Sequence, residues 1–429
     1  MTVNDKLSNY LWALTERFGA SAVSLVGNIV LAALLTPDDF GLLAMLGVFT
    51  SLVYLLVDCG MSDGLLREPA PTSRDFNTLF FFNMVAGAIL ALVFVLLAPL
   101  VAWFFARGEL CPIMMALGLV PLFCALAISQ STLLRSQMRF RHVALVNIGA
   151  VVLALAVAIA MAMCGMHYWA LVELQVGFSA FYWLLLIVTS RWHIKWEFDR
   201  KRCKQLWRFG ANLMASTMAV LLSQNIVALL LGKFYSASQA GFMAQAQKLQ
   251  QAPVAALEGS VSSTTYVMVG KETDPAKQDQ AFVAVFRTFS LMLLVGCAIG
   301  IVMARPIVGL LFAERWLPTV PYLQLLLAWA MVYPMVSFMA VMLKLRNRTD
   351  LVRNISLAER LAIIIAALLL WRWGVVAMLS AFIFISALAA LCSIWQVGRV
   401  STIRPARLLA IYVQRLLPAA FTILISHLL

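Results

Sequence analysis

The chain has 429 residues, 63% of them hydrophobic and 12% charged, with a mean hydropathy of +0.92; soluble domains carry about a quarter charged residues. This composition excludes a water-soluble enzyme and a disordered chain. It predicts an all-α membrane protein, because apolar runs near or above the ~20 residues that cross a bilayer core recur throughout, in place of the short alternating strands of a barrel.

The first apolar run, 10–35, is longer than a signal-peptide core and no small-residue cleavage site follows it, so a retained first helix is expected. Further runs lie at 38–62, 77–105, 111–134, 143–164, 167–190, 207–232, 237–266, 281–312, 318–343, 351–371, 374–397 and 408–428. At roughly 20 residues each, about 12 to 13 transmembrane helices leave no length for a soluble catalytic domain. Between the first two runs stands TPDDFGLLA. Thr36 suits an N-cap, Pro37 the first helical position, and Asp39 stands three residues after the cap, which is a capping box. A turn at the edge of hydrocarbon must satisfy its own backbone donors, so Asp38 and Asp39 read as structural.

The net charge of +13 is unevenly placed. Basic residues collect after every second run: Arg67 and Arg74; Arg135, Arg139 and Arg141; Arg191, Lys195, Arg200, Lys201, Arg202 and Lys204; Lys271 and Lys277; Lys344, Arg346, Arg348 and Arg353; Arg399, Arg404 and Arg407. The alternate loops hold only Arg107, Lys233, Arg305, Arg315 and Arg372. The positive-inside rule then puts the N-terminus in the cytoplasm. The charge is a topology signal, and no nucleic-acid partner is expected. The seven cysteines show no metal-ligand spacing, and no cofactor or metal is expected; they read as free structural thiols, with a disulfide between Cys111 and Cys164, if both are external, as the lesser alternative.

At 235–244 the chain reads YSASQAGFMA: Ser236 stands where Thr36 stood, Gln239 where Asp39 stood, and Gly241 where Gly41 stood. Upstream, Asn28-Ile29-Val30 is matched by Asn225-Ile226-Val227. Each copy opens a block of six runs of the same orientation. The expected organisation is an N-terminal six-helix lobe (1–190), a basic cytoplasmic linker (191–206), a C-terminal six-helix lobe (207–397) and an additional C-terminal hydrophobic helix (398–429). Parallel repeats of this kind occur in secondary transporters.

The stretches LLTPDDFGLLA (34–44), LVDCGMSDGLLRE (56–68), LLRSQMRFRHVALVNIGA (133–150), YWALVE (168–173), VALLLGKFYSASQAGFMAQAQKLQQAP (227–253) and LLFAERWLPTVPYLQLL (310–326) resemble, in order and spacing, the bacterial polysaccharide transporter family. These are Wzx-type flippases of the multidrug/oligosaccharidyl-lipid/polysaccharide exporter superfamily. The chain departs from the family pattern at Ala33, often basic there, and at 260–269, where a proline is common. The resemblance implies two six-helix lobes around a central cavity and alternating access. It also implies translocation of an undecaprenyl-diphosphate-linked oligosaccharide across the bacterial inner membrane in surface polysaccharide biosynthesis. The implied partners are the lipid-linked substrate, the lipid bilayer and other surface-polysaccharide assembly proteins.

A charge at mid-bilayer costs about 2.5 to 3.5 kcal/mol on insertion scales, so each intramembrane ion needs a reason. Lys248, far from both ends of its run, suits a diphosphate or acidic sugar, or else a carboxylate partner. Arg17, Arg67 and Arg287 are further candidate substrate contacts, because the guanidinium fork fits phosphate. Snorkelling and topology are the alternatives for them. Asn28, Asn225, Gln245 and Gln251 could serve sugar hydroxyls, since amides both donate and accept; hydrogen bonding between helices is the other reading. Glu173, Asp58 and Glu258 are candidates for ion coupling, with Asp58 alternatively a cap before Gly60. Glu359 and Arg360 read as an internal pair whose side chains, about 100° apart, need separate partners.

Motifs for ATP hydrolysis, zinc hydrolysis and serine nucleophiles are absent, so the chain is not expected to be an enzyme. The competing readings are an ion-coupled multidrug-type antiporter, which would prefer an acidic and aromatic cleft, and a membrane enzyme of glycan assembly, which would carry a long external loop.

Overall fold

The computed structural model describes the backbone outside residues 1–2, 69–70, 191–194, 273 and 429, and, within helices, the side chains outside 3–18, 209, 212–213, 215–216 and 419–428. The chain divides into two compact units, Met1–Gly241 and Phe242–Leu429. Among the described residues, ten helices are long and apolar enough to cross a membrane.

Unit 1 holds α1 (Val3–Leu34), α2 (Pro37–Asp58), α3 (Met61–Leu66), α4 (Ser73–Phe105), α5 (Leu110–Leu117), α6 (Leu119–Ser136), α7 (Phe140–Met163), α8 (Tyr168–Ser190), α9 (Arg200–Phe234) and the start of α10 (Ala237–Gly270). The expected capping box opens α2. The Asp39 N–H donates to Thr36 Oγ1 at 3.3 Å, and Asp39 Oδ2 accepts from the Thr36 N–H at 2.9 Å. Such a cap contributes about 1 kcal/mol. The repeat copy keeps one half of it: the Gln239 N–H donates to Ser236 Oγ at 3.2 Å.

The other end of α2 is set by two successive left-handed residues, Cys59 (φ 50°) and Gly60 (φ 71°). The run 111–134 is two helices, α5 and α6, parted at Gly118. Helix packing uses small residues, as expected where water does not drive association. Ala150, Ala154 and Ala158, all fully buried, form one face of α7 at four-residue spacing. On α4, a Cβ at Gly87 would stand 2.6 Å from Ala125 Cβ and 2.7 Å from the Pro121 carbonyl, so α6 approaches to backbone contact there.

Unit 2 holds the rest of α10, α11 (Pro275–Val302), α12 (Ala304–Leu311), α13 (Thr319–Ala330), α14 (Tyr333–Leu345), α15 (Thr349–Leu370), α16 (Val375–Val400) and α17 (Pro405–Leu428). Its aromatic core places Phe282, Phe286 and Phe289 of α11 around Phe338 of α14, with ring centroids 5.0, 5.6 and 4.8 Å away. Spacings of three and four residues put the three rings on one helix face. The last helix is tied back to unit 2 by Tyr412, whose hydroxyl donates to the Met331 carbonyl at 2.7 Å.

Candidate functional site

In unit 1 the two capped turns meet each other. A Cβ at Gly41 would stand 1.9 Å from the Ala237 carbonyl oxygen, and one at Gly241 would stand 2.1 Å from the Pro37 carbonyl oxygen. Between them the Ser238 hydroxyl donates to Asp38 Oδ1, a pair 200 residues apart in sequence. The contact is therefore reciprocal: what residue 41 meets at 237, residue 241 meets at 37. Isologous contacts have this form. Only glycine permits it, because any side chain at either position would overlap a carbonyl.

The seam continues along α2 and α9. Met45 occupies the space beside Gly232, and Asn225 lies against Gly47 and Ser51, donating from Nδ2 to Ser51 Oγ at 3.3 Å and to the Leu221 carbonyl at 2.9 Å. At the other end of α2, a Cβ at Gly210 would stand 1.8 Å from the Cys59 carbonyl. Asn225 thus bonds between helices in this structure. Asn28, its counterpart in the repeat, is buried on α1.

The acids of unit 1 differ in their surroundings. The Asp58 carboxylate accepts the Ser62 N–H at 3.2 Å and the Ser62 hydroxyl, and Ser62 Oγ in turn accepts from Thr132 Oγ1 of α6 at 3.1 Å. It caps α3 across the Cys59–Gly60 break. The Glu173 carboxylate lies over Gly177, one turn along α8, where a Cβ would stand 2.1 Å from Oε1. Its Oε2 is buried without a hydrogen-bond partner among the described residues. Arg67 is exposed at the end of α3. The Arg17 side chain lies outside the described residues. A cavity of about 240 Å³ opens beside α8, lined by Ser24, Val151, Leu155, Leu174, Gln175 and Phe178. It is mainly apolar and contains no charged candidate.

In unit 2 the helix α10 carries the polar side chains. Its 34 residues include Gln245, Gln247, Lys248, Gln250, Gln251 and Glu258, and it is not among the ten helices apolar enough to span. Gln245 and Gln250 lie on its buried stripe with Ala246 and Val254, whereas Lys248 and Gln251, three residues apart, are exposed. The glutamine cluster therefore divides between two faces. Gln250 Nε2 donates to the Tyr333 hydroxyl at 3.3 Å. Two turns further on, Glu258 accepts from Ser337, one turn beyond Tyr333 on α14, and faces Arg360. Glu359 is buried, accepting at Oε1 from the Ser386 hydroxyl at 2.6 Å, and Ser386 accepts from Trp329 Nε1 at 2.9 Å. Glu359 thus takes its hydrogen bond from another helix, while Arg360 Nε is buried without a hydrogen-bond partner among the described residues. Arg287 is exposed on α11, and its carbonyl accepts from Arg415 of α17.

Tyr333, Ser337, Ser386 and Trp329 were not singled out from the sequence. Each is an isolated polar or amphipathic residue in an apolar run; the only hint was that Glu359 needed a donor somewhere.

Ionisable and amide side chains held within apolar helical units, together with a multi-pass all-α architecture, define a polytopic membrane protein of the transporter class. A family model described as "Polysaccharide biosynthesis protein" matches residues 30–321, and the chain belongs to that family. It is similar to the teichuronic acid biosynthesis protein TuaB of Bacillus subtilis (strain 168), 23% identical over 353 residues, covering 80% of this chain and 72% of that one. It is also similar to the succinoglycan biosynthesis transport protein ExoT of Rhizobium meliloti (strain 1021), 23% identical over 330 residues, covering 76% and 66%. Among solved structures, the lipid II flippase MurJ in an inward closed conformation matches with a TM-score of 0.74 at 14% identity, covering 98% of this chain and 96% of that chain. At that identity the likeness is one of fold.

Proposed function

We propose that the chain is a flippase that carries a lipid-linked oligosaccharide across the bacterial inner membrane by alternating access, with its N-terminus in the cytoplasm. The observation that carries this reading is α10. A 34-residue helix that displays a lysine and an amide on one exposed stripe, Lys248 and Gln251, is costly against hydrocarbon and suited to a water-filled path. Lys248 supplies a cation for a diphosphate, and Gln251 donates to and accepts from sugar hydroxyls. Membership of a polysaccharide biosynthesis family and the names of the similar proteins support a saccharide cargo. Transport, rather than glycan synthesis, is the activity.

With the basic loops inside, the Gly41–Ala237 and Gly241–Pro37 contacts form the external closure, which must part for release. Arg17, Arg67 and Arg287 remain candidates for head-group capture. Asn225 is engaged with Ser51 in this state and would reach cargo only if that contact opened. Among the coupling candidates, Asp58 is committed to capping α3 and Glu258 faces Arg360. Glu173, without a counter-charge among the described residues, is best placed to gain and lose a proton.

The test is deletion of the gene followed by analysis of membrane lipids and surface glycan. Accumulated undecaprenyl-linked oligosaccharide and loss of surface glycan are expected, and restoration by the wild-type chain but not by Lys248→Gln at equal protein level. Full restoration by Lys248→Gln would remove that residue from the path. Unchanged lipids and glycan in the deletion strain would refute the function.

A further inference from the structure

Residues 195–208, KWEFDRKRCKQLWR, take no part in the proposed transport path. They are nonetheless firmly placed. The Lys195 N–H donates to Asn77 Oδ1 at 3.3 Å and the Asp199 N–H to Thr78 Oγ1 at 3.1 Å, both at the start of α4. Arg202 reaches Asp75 with Nε at 3.0 Å and Glu68 with a terminal nitrogen at 3.0 Å. Asp199 caps α9, accepting from the Lys201 and Arg202 N–H groups at 3.0 and 3.1 Å. These bonds fix the rotation of the first turns of α9. Cys203 and Leu206 turn inward onto Met61, Leu65, Phe76 and Leu79. Arg200, Lys201, Lys204 and Arg208 are left exposed on the outside.

Two consequences follow for the surface. The nearby carboxylates are engaged, Glu68 and Asp75 by Arg202 and Asp199 by Arg74 at 3.7 Å. Among the described residues, Arg200, Lys201, Lys204 and Arg208 therefore have no ion-pair partner, and Glu197 is the one exposed carboxylate within the segment that no basic residue holds. Aromatic rings stand among these cations and are not withdrawn: Trp196 is 89% exposed although its ring lies 5.0 Å from Phe81, and Phe198 is 49% exposed. In water such a display would be unfavourable. At a membrane surface it is the expected composition, rings at the head-group level and cations against anionic lipid.

We propose that residues 195–208 form a docking surface for anionic phospholipid head groups at the basic end of unit 1. A cluster of lysines and arginines immediately beside a transmembrane helix has the charge such lipids complement, and the exposed rings match the apolar boundary beneath the head groups. The surface is distinct from Lys248 and from the cargo it would take.

The test uses the full chain in nonionic detergent, titrated with phosphatidylglycerol, phosphatidylcholine or inorganic phosphate and read by native mass spectrometry and melting temperature. Wild type should retain phosphatidylglycerol and be stabilised by it, with little response to phosphatidylcholine or phosphate. The combined Arg200→Gln, Lys201→Gln, Lys204→Gln and Arg208→Gln variant should bind phosphatidylglycerol more weakly by roughly fivefold per charge removed at low salt. A control variant, Arg399→Gln with Arg404→Gln and Arg407→Gln, should retain most of the binding. Should the fourfold variant fail to fold, Trp196→Ala with Phe198→Ala, all charges intact, is expected to weaken retention. Wild-type retention by the folded fourfold variant, or by the aromatic variant where the fourfold one does not fold, would overturn the proposal. So would equal loss in the control, or equal protection by inorganic phosphate.

Discussion

Asp75 near the start of α4 and Asp279 near the start of α11 each hold an arginine and a threonine, yet they do so in different settings. Asp279 accepts from the Thr402 N–H at 2.7 Å, the Thr402 hydroxyl at 2.6 Å and Arg346 at 2.8 Å, and its side chain is 5% exposed. It joins the start of α11 to the α14–α15 turn and to the segment before α17. Asp75 accepts from the Thr72 N–H and hydroxyl, both at 2.8 Å, as a local cap, and from Arg202, while its side chain is 13% exposed. Arg202 has a second acceptor in Glu68. In unit 2, among the described residues, Asp279 is thus the single carboxylate paired with Arg346. In unit 1 the segment 195–208 forms a strap against the start of α4, in which Arg202 has two acceptors and Arg200, Lys201, Lys204 and Arg208 are exposed.

The contrast is best tested by removing each carboxylate. Asp279→Ala leaves Arg346 without its counter-charge in a mostly buried place and removes three hydrogen bonds, a loss of about 3–5 kcal/mol. A large fall in melting temperature, or no folded protein, is expected. Asp75→Ala loses the capping box but leaves Arg202 on Glu68, so the cost is about 1–2 kcal/mol. Equal falls for the two variants would show that redundancy in unit 1 counts for nothing.

A smaller effect distinguishes the strap by pH. The Arg202 N–H, with the Arg74 charge nearby, holds the Asp199 carboxyl below the usual carboxylate range. A group with a depressed folded pKa stabilises above its unfolded pKa and loses that contribution as pH falls through the folded one. Asp199→Asn should therefore melt slightly earlier than wild type at neutral pH, and the gap should close on acidification. A gap independent of pH would show that the charge is not involved. The smallest effect belongs to Arg348→Gln. Its ion pair with Asp350 at 3.1 Å is exposed on both sides, and no resolvable change in melting temperature is expected.

Features local in the chain were legible from the sequence. The Thr36–Asp39 box spans three residues and depends on nothing distant. Asp58 reads from the sequence either as a coupling acid or as a cap before Gly60, and its bond to Ser62, four residues on, is equally local. The partner that Asn225 takes in this structure was not readable: Ser51 lies 174 residues away. Nor were the two faces of α10, since the glutamines around Lys248 look like one cluster until packing divides them. The close run of α9 along α2 was not readable either: it depends on glycines at 47, 210 and 232 that meet side chains or backbone far away in sequence.

Composition and periodicity by themselves determined that this is a many-helix membrane protein, which loops are basic and that a turn recurs, since each rests on residues within a few turns of one another. That the two turns meet through Gly41 and Gly241, that Ser386 answers Glu359, and that Arg202 anchors a strap whose neighbouring cations stay open were decided only by tertiary structure. Those contacts join residues tens to hundreds of positions apart, and in an apolar chain a single hydroxyl or glycine carries no mark of the partner it will find.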